Sequence, residues 1–584
     1  MEKEQKLELV RHSLSHLMSM AIVEKYPQAG LAVGPSIENG FYQDYDLPEP
    51  ISEKDFVWIE KRMREMVAQK IKFAQKDSDL KSALEFYKHD PYKTEMINDL
   101  HARGEVLSFY DSDWFHNLCA GPHVKDTSEI NPEAFKLTKV AGAYWHGDEK
   151  NKMLQRIYGV AFETKEELEE YLHRQEEAEK RDHRKVGQDL KLFVFSDLVG
   201  KGLPTFTPKG ATIKRELERF VVDEEIKRGY HHVVTPDLAK VDLYRKSGHY
   251  PYYKDTMYPV MQIDEEELIL RPMTCPHHFM FFKSEPHSYR DLPYRIAEVA
   301  HQYRYEKSGE LSGLTRVRMF CLADAHIVAA KEQAKQVIKE VLELIDFANQ
   351  TFGMVKGVDY RYRLSLGDRS DDKKYYEDDA SWEYAENVLR EVLKDIKAPF
   401  FEAPNEAAFY GPKIDIQVKR VGGQEETAFT VQYDFVMADR FDLTFVNKEG
   451  KDERPIVIHR SSIGCLERTI AFLIEKYAGA FPVWLSPVQV LLAPVATKHQ
   501  EGARALAAEL RDKGIRVEVD DADETVGNKV RKASGQKIPY IVIVGDKELS
   551  GEDWMIRVRG EKDQVKMSKE SFVEKVLKEI KNRN

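Results

Sequence analysis

Tyr303-Arg304-Tyr305-Glu306-Lys307-Ser308-Gly309-Glu310-Leu311-Ser312-Gly313-Leu314-Thr315-Arg316-Val317-Arg318 is the stretch on which the reading of this chain turns. Arg-x-Glu on a strand, a glycine-rich loop and two returning arginines suit recognition of a phosphate and a purine. A guanidinium offers a fixed fork to phosphate oxygens and a flat face to a base. Any one of these residues alone would pass for part of an ordinary charged hairpin. Downstream, His459-Arg460-Ser461-Ser462-Ile463-Gly464-Cys465-Leu466-Glu467-Arg468 reads as a strand that passes into a helix through glycine. The chain contains neither a Walker A loop nor a G-x-G-x-x-G turn, so a nucleotide bound here is held in neither.

The 584 residues are 42% hydrophobic, 32% charged and 11% aromatic. That composition excludes disordered and fibrous classes, and at roughly 150 residues per domain the length suggests three to five domains. No apolar run is long enough to span a membrane, and the charged start lacks the apolar core of a secretory signal. Four cysteines, none in a C-x-x-C pair, point away from a disulfide scaffold and toward a reduced, cytoplasmic setting. The net charge of −12 is not that of a strongly basic nucleic-acid binder. Residues 487–584 alone carry 19 basic and 17 acidic side chains, so contact with a polyanion must come from local patches.

Leu7, Val10, Leu14, Leu17, Met18, Ala21 and Ile22 follow helical spacing and predict an amphipathic first helix, with His12 and His16 one turn apart on its other face. Strand and turn signals at 34–45 and the aromatic region 109–145 complete one α/β domain over residues 1–162. Residues 163–186 form a charged helical linker. An irregular mixture of helices and strands fills 187–485. From 486 to 584, strands and helices alternate in the rhythm of a small, mostly parallel sheet.

His12-x-x-x-His16 and Cys119-x-x-x-His123 have the residue types and spacing of a zinc site. Ser13 stands where a metalloprotease H-E-x-x-H motif needs glutamate, so that chemistry falls away. The plain alternative is two solvent-facing histidines and an unrelated cysteine.

Together with LCAGPHV, AGAYWHGDEKNKMLQRIYG, RPMTCPHH, DAHIV, FYGPKIDIQV and HRSSIGCLERTIAFLIEKYAG, these motifs resemble the bacterial-type threonyl-tRNA synthetases, which are class II aminoacyl-tRNA synthetases. The resemblance runs over nearly the whole chain. It implies a multidomain α+β fold: an antiparallel class II catalytic sheet, an N-terminal editing domain and a C-terminal anticodon-binding domain. It also implies threonine activation with ATP and magnesium, transfer to tRNA(Thr), hydrolysis of mischarged Ser-tRNA(Thr), and a homodimer built on residues 210–236.

By the same resemblance, one zinc per chain would be held by Cys275, His326 and His459, with the amine and hydroxyl of threonine completing its shell. A purely apolar pocket separates hydroxyl from methyl by only about 10²-fold, which explains the use of a metal against valine. Serine keeps the hydroxyl, so a second sieve is needed. The resemblance assigns that sieve to His12, His16, Cys119 and His123 with Lys93, working without metal. Arg304, Glu306, Arg316 and Arg468 would contact ATP. His249, Asp324, Tyr410, Lys413 and Gln432 would lie near threonine and the tRNA end, and Lys529, Glu548 and Arg557 would meet the anticodon.

Three departures from the family pattern stand out. Met1 leads straight into editing, where the family usually has a ubiquitin-like domain first. Leu322 replaces a polar residue. Asn117 replaces an Asp, and an amide is no general base. A free-standing editing hydrolase and a non-catalytic RNA-binding paralogue are the rivals. The presence of all three zinc ligands and both Arg304 and Arg468 argues against them.

Overall fold

The computed structural model describes residues 3–371 and 373–584. The chain divides into two compact units, Met1–Gln175 and Glu176–Asn584. No helix among the described residues is long and apolar enough to cross a membrane.

In the first unit the predicted helix spans Lys3–Lys25. Its apolar stripe packs with Phe41, Tyr45, Ile59 and Met63 in one core. The other face is not a solvent face from Ser13 onward, because Ser13, Ser15, His16 and Ser19 are buried as well. Small hydroxyl residues on that face let other chain segments approach, and their hydroxyls are satisfied by carbonyls such as those of Gly34 and Ser15. The strands Gly30–Leu31, Gly40–Asp46, Met153–Ala161 and Phe135–Tyr144 form an antiparallel sheet. A second antiparallel sheet, Ala74–Asp77, Ser108–Ser112 and Phe115–Leu118, ends beside Cys119. The helix Pro91–Ala102 carries Lys93 in its first turn. Asp90 caps it, accepting from the amides of Tyr92 and Lys93, and Pro91 fits where no amide is needed.

The charged segment predicted as a connector forms the helix Lys165–Arg181, in which only Leu168 is buried.

The second unit is built on an eight-stranded sheet ordered His231–His232, Tyr294–Tyr303, Met319–Ala329, Ile456–Cys465, Glu425–Asp434, Lys413–Lys419, Tyr360–Ser365, Phe400–Ala403. The inner pairings are antiparallel, and each edge strand pairs in parallel. Alternation sends successive side chains to opposite faces. Ala323, Ala325, Ile327, Ile458, Val431, Tyr433, Ile414 and Ile416 turn to one face and join the main core with the helices Ala334–Thr351, Asp379–Asp395 and Leu466–Tyr477. The opposite face carries polar residues and lines a cavity.

Arg460 is an exception on the apolar face. It is fully buried and donates to Glu225 at 2.6 Å; Ser462 also donates to Glu225, at 2.8 Å. This pair ties the helix Pro208–Lys227 to the central strand. Replacing Arg460 with Leu takes the guanidinium from a buried carboxylate and leaves it only Ser462 and His232, the latter at 2.9 Å, so a loss of about 3–5 kcal/mol is expected in urea unfolding. Arg460→Leu together with Glu225→Leu should recover most of it; a single variant within 1 kcal/mol of wild type would contradict this account.

Residues 486–584 hold a five-stranded sheet ordered Val517–Val519, Val490–Pro494, Tyr540–Val544, Trp554–Val558, Gln564–Met567. Only its first two pairings are parallel. The last two are antiparallel, where the expectation was a mostly parallel sheet: Trp554–Val558 returns against Tyr540–Val544 after the short helix Asp546–Leu549, and it forms a hairpin with Gln564–Met567 through Gly560.

Candidate active site

The polar face of the large sheet is organised by register. His326 lies opposite His459, His459 opposite Gln432, and Gln432 opposite Lys413. Four neighbouring strands thus contribute one continuous row. Cys275 comes from outside the sheet, at the start of the helix Cys275–Lys283. One ligand atom each of Cys275, His326 and His459 lies within 4.8 Å of the others, and all three residues are buried. A thiol and two imidazoles converging on one point suit zinc and leave a fourth position open. Burial, with the Asp324 and Asp434 carboxylates beside it, pushes the Cys275 thiol well above its ordinary range. A cation at that point would reverse the balance and release the proton.

These residues line a cavity of about 890 Å³ together with His249, Asp324, Tyr410, Arg304, Glu306, Arg316 and Arg468. All twelve residues expected to act in charging therefore face one space. Asp324 accepts from Gln302 at 3.3 Å, and burial raises its carboxyl. Tyr410 donates to Gln432. Lys413 pairs with buried Asp415 at 2.6 Å, and Ser365 donates to the same oxygen at 2.7 Å. His249 is held by Ser247 at 2.7 Å; burial first, then His459, Arg440 and Arg304, lowers it to about 3, so it is a neutral imidazole at pH 7.

The motif 303–318 links the strands Tyr294–Tyr303 and Met319–Ala329. The Arg304 amide donates to the Arg318 carbonyl, closing the loop at 3.0 Å. Arg316 grips Glu306 at 2.9 and 2.7 Å. Arg304 donates to the Pro272 carbonyl at 3.3 Å, and burial lowers its pKa from the usual value. Arg468 reaches the same cavity from the helix Leu466–Tyr477, held by the carbonyls of Thr315 and Thr427. The strand enters that helix through Gly464 at φ +66, where a Cβ would lie 2.3 Å from the Ala428 carbonyl; only glycine fits. A bulge between Leu322 and Asp324 shifts the register here, and Leu322 lines the cavity.

A second cluster lies in the first unit. His12, His16, Cys119 and His123 bring one ligand atom each within 4.8 Å of the others. Cys119 Sγ lies 3.3 Å from His12 Nε2 and 3.4 Å from His123 Nε2. His12 donates to the Pro122 carbonyl at 3.1 Å, and His16 meets Asn117 at 3.2 Å. Burial lowers all three imidazoles, His123 to about 2, so each is neutral at pH 7. Lys93 is buried with its amine toward the carbonyls of Ala32 and Leu118, and burial lowers it to about 8. The same burial raises Cys119.

The three expected anticodon residues are scattered. Lys529 is buried and donates to the Pro494 carbonyl at 3.1 Å, Glu548 accepts from the Gly545 amide at 2.9 Å, and Arg557 is exposed on Trp554–Val558. No hydrogen bond or ion pair among the described residues joins them. Sequence reasoning missed His278, Glu298 and Asp434, which surround the Cys275 centre. The available signal for Glu298 and Asp434 was a polar residue set at an alternate position in an apolar strand; His278, on the helix Cys275–Lys283, gave no such signal.

Three parts of the chain match known families. Residues 258–477 match the tRNA synthetase class II core domain (G, H, P, S and T), 489–579 the anticodon binding domain, and 106–158 the threonyl and alanyl tRNA synthetase second additional domain. The chain is 48% identical over 578 residues to the threonine–tRNA ligase of Anoxybacillus flavithermus, covering 98% of the chain and 89% of the relative. It is 48% identical over 588 residues to that of Exiguobacterium, covering 100% and 90%. Among solved structures, the RNA binding domain of threonyl-tRNA synthetase from Cryptosporidium parvum superposes with a TM-score of 0.64 at 32% identity, covering 68% of this chain and 98% of that one. A putative threonyl-tRNA synthetase from Aeropyrum pernix gives 0.61 at 27% identity, covering 69% and 96%.

Proposed function

This chain belongs to the threonine–tRNA ligases, and from that premise we propose how its residues divide the work. The enzyme activates threonine with ATP, passes it to tRNA(Thr) and hydrolyses Ser-tRNA(Thr). Cys275, His326 and His459 hold one zinc ion. Bound there, zinc supplies a Lewis-acidic position for the amine and side-chain hydroxyl of threonine, which valine cannot fill. Asp324, Tyr410 and Gln432 surround the amino acid. Arg304 takes the α-phosphate and the threonine carboxylate, Glu306 and Arg316 contact ATP, and Arg468 meets the adenine or the γ-phosphate. Magnesium accompanies ATP. These fixed charges stabilise the charge that develops at the α-phosphorus without reorganising. His249 and Lys413 serve the threonine and tRNA end.

In the first unit, His12, His16, Cys119 and His123 position water and the seryl ester without metal, with Lys93 assisting. Two observations support the metal-free reading. Cys119 Sγ is already engaged by His12 Nε2 and His123 Nε2, although His16 Nδ1 has no partner among the described residues, and the buried Lys93 cation is close enough to depress His16 further, which disfavours a second cation. Asn117 orients His16 rather than serving as a base. Lys529, Glu548 and Arg557 are assigned to the anticodon end, Lys529 through the loop it supports. Val234 is 95% and Ile226 56% exposed in the segment 210–236, an apolar surface fit for a homodimer. The reaction is placed in the cytoplasm, consistent with four free cysteines.

The observation that carries the reading is the single cavity shared by the cysteine–histidine centre and the arginines of 303–318. Purified protein is expected to hold about one zinc per chain and to exchange pyrophosphate with threonine but not valine. Equal use of valine, or exchange by a zinc-free chain, would overturn it.

A further inference from the structure

His278 lies one turn beyond Cys275 on the helix Cys275–Lys283 and is completely buried. Its Nδ1 is 2.8 Å from Nδ1 of His326, and its Nε2 is 3.3 Å from Oε2 of Glu298. Glu298 is pinned in turn. Its Oε1 accepts from the Thr235 amide at 3.1 Å and from Arg271 at 3.2 Å, while Oε2 accepts from the Thr235 hydroxyl at 2.7 Å. Arg271 is fixed by the His301 carbonyl at 2.6 Å and the Thr235 hydroxyl at 2.7 Å.

Counting donors assigns the protons along this chain. A carboxylate that receives three other donors has no proton to give, so Nε2 of His278 donates to it. In a neutral imidazole Nδ1 is then the acceptor. The proton between the two histidines therefore belongs to Nδ1 of His326, and the His326 lone pair is left on Nε2. The same count holds on the opposite side. Asp434 accepts the amides of Val436 at 2.8 Å and Met437 at 2.9 Å on Oδ1, and Nε2–H of His459 at 2.7 Å on Oδ2, which leaves the His459 lone pair on Nδ1.

We propose that His278 and Glu298 are positioning residues of the metal centre: they fix His326 as its Nδ1–H tautomer, so that Nε2 is presented to the point shared with Cys275 and His459. The inference rests on the zinc reading above and deepens it. A buried carboxylate behind a histidine holds the ring direction and raises its basicity as a ligand, and loss of such support typically costs 10–100-fold in metal affinity. Two buried imidazoles and a buried carboxylate are costly to fold around, and this arrangement gives each a partner.

The test is zinc release from the full-length protein into a chromogenic chelator, with zinc counted beforehand. His278→Leu keeps bulk but removes both nitrogens. His278→Gln keeps one N–H for Glu298 and one oxygen for His326. Glu298→Gln changes no packing, yet its NH₂ faces a donor whichever way the amide turns. His278→Leu and Glu298→Gln should release zinc about 10–100-fold faster and raise KM for threonine while leaving KM for ATP unchanged; His278→Gln should stay within a few-fold of wild type. Release at the wild-type rate from Glu298→Gln, or His278→Gln releasing as fast as His278→Leu, would overturn the proposal. A wild-type chain without zinc would instead overturn the reading it rests on. Should His278→Leu fail to fold, Glu298→Gln decides alone.

Discussion

Threonine-dependent pyrophosphate exchange in Cys275→Ala is expected to fall by about 10³-fold, with zinc lost from the chain. The direction follows from geometry. Cys275 is the only one of the three proposed ligands that comes from outside the sheet, so its loss leaves two imidazoles on one side of the site and nothing opposite. The amino acid then loses both its electrophilic anchor and its orientation, and positioning together with electrostatics is worth several powers of ten. Selectivity should fall further than rate. A site built around a hydroxyl rejects an analogue lacking it by about 10⁴–10⁵-fold, whereas an apolar pocket of the same shape manages about 10²-fold or less. Measuring kcat/KM for threonine and valine in both proteins checks this. Retention of threonine exchange within tenfold of wild type would remove the metal from the account.

The second large effect belongs to the first unit. His12→Ala with His16→Ala should slow hydrolysis of Ser-tRNA(Thr) by about 10²–10⁴-fold, the usual contribution of positioned proton-transfer groups, while leaving threonine activation unchanged. Its pH dependence is set by Lys93. Burial lowers that amine to about 8 from 10.5, so its positive charge is present below pH 8 and disappears above it. Hydrolysis that uses the charge should decline on the alkaline side of pH 8, and Lys93→Met should abolish that limb. Stability moves the other way. Between pH 8 and 10.5 the unfolded chain binds the proton that the folded chain has released, so folding becomes more favourable as pH rises. A decline at pH 9 is therefore not explained by unfolding at this group. A flat profile from pH 7 to 9, or equal rates for the double variant and wild type, would remove these residues from editing.

Much of this arrangement was legible in the sequence, and the exceptions share a cause. The helix over Leu7 to Ile22 was fixed by spacing, but its period could not reveal that His16 would be covered as well, since cover comes from distant segments such as Phe73 and Phe115. The ligands Cys275, His326 and His459 were found through family motifs. Their supporters His278, Glu298 and Asp434 were not, because strand register and a helix's approach to a sheet are long-range facts. The antiparallel half of the last sheet escaped because Gln564–Met567 is short and polar and gives little strand signal. Lys529 was expected to meet the anticodon, yet its side chain is buried and its amine is taken up by a backbone carbonyl.

The row His326, His459, Gln432 and Lys413 crosses four interior strands whose other face is the main core. A ligand in that row cannot fray by itself, because releasing it means breaking ladder bonds on both sides. Amide hydrogens of these four residues should thus exchange with deuterium as slowly as any in the molecule, at the free energy of whole-domain opening. The arm 304–318, hung from only two strand ends, should exchange orders of magnitude sooner. The amino acid would then meet a rigid wall while the nucleotide meets a clasp that breathes.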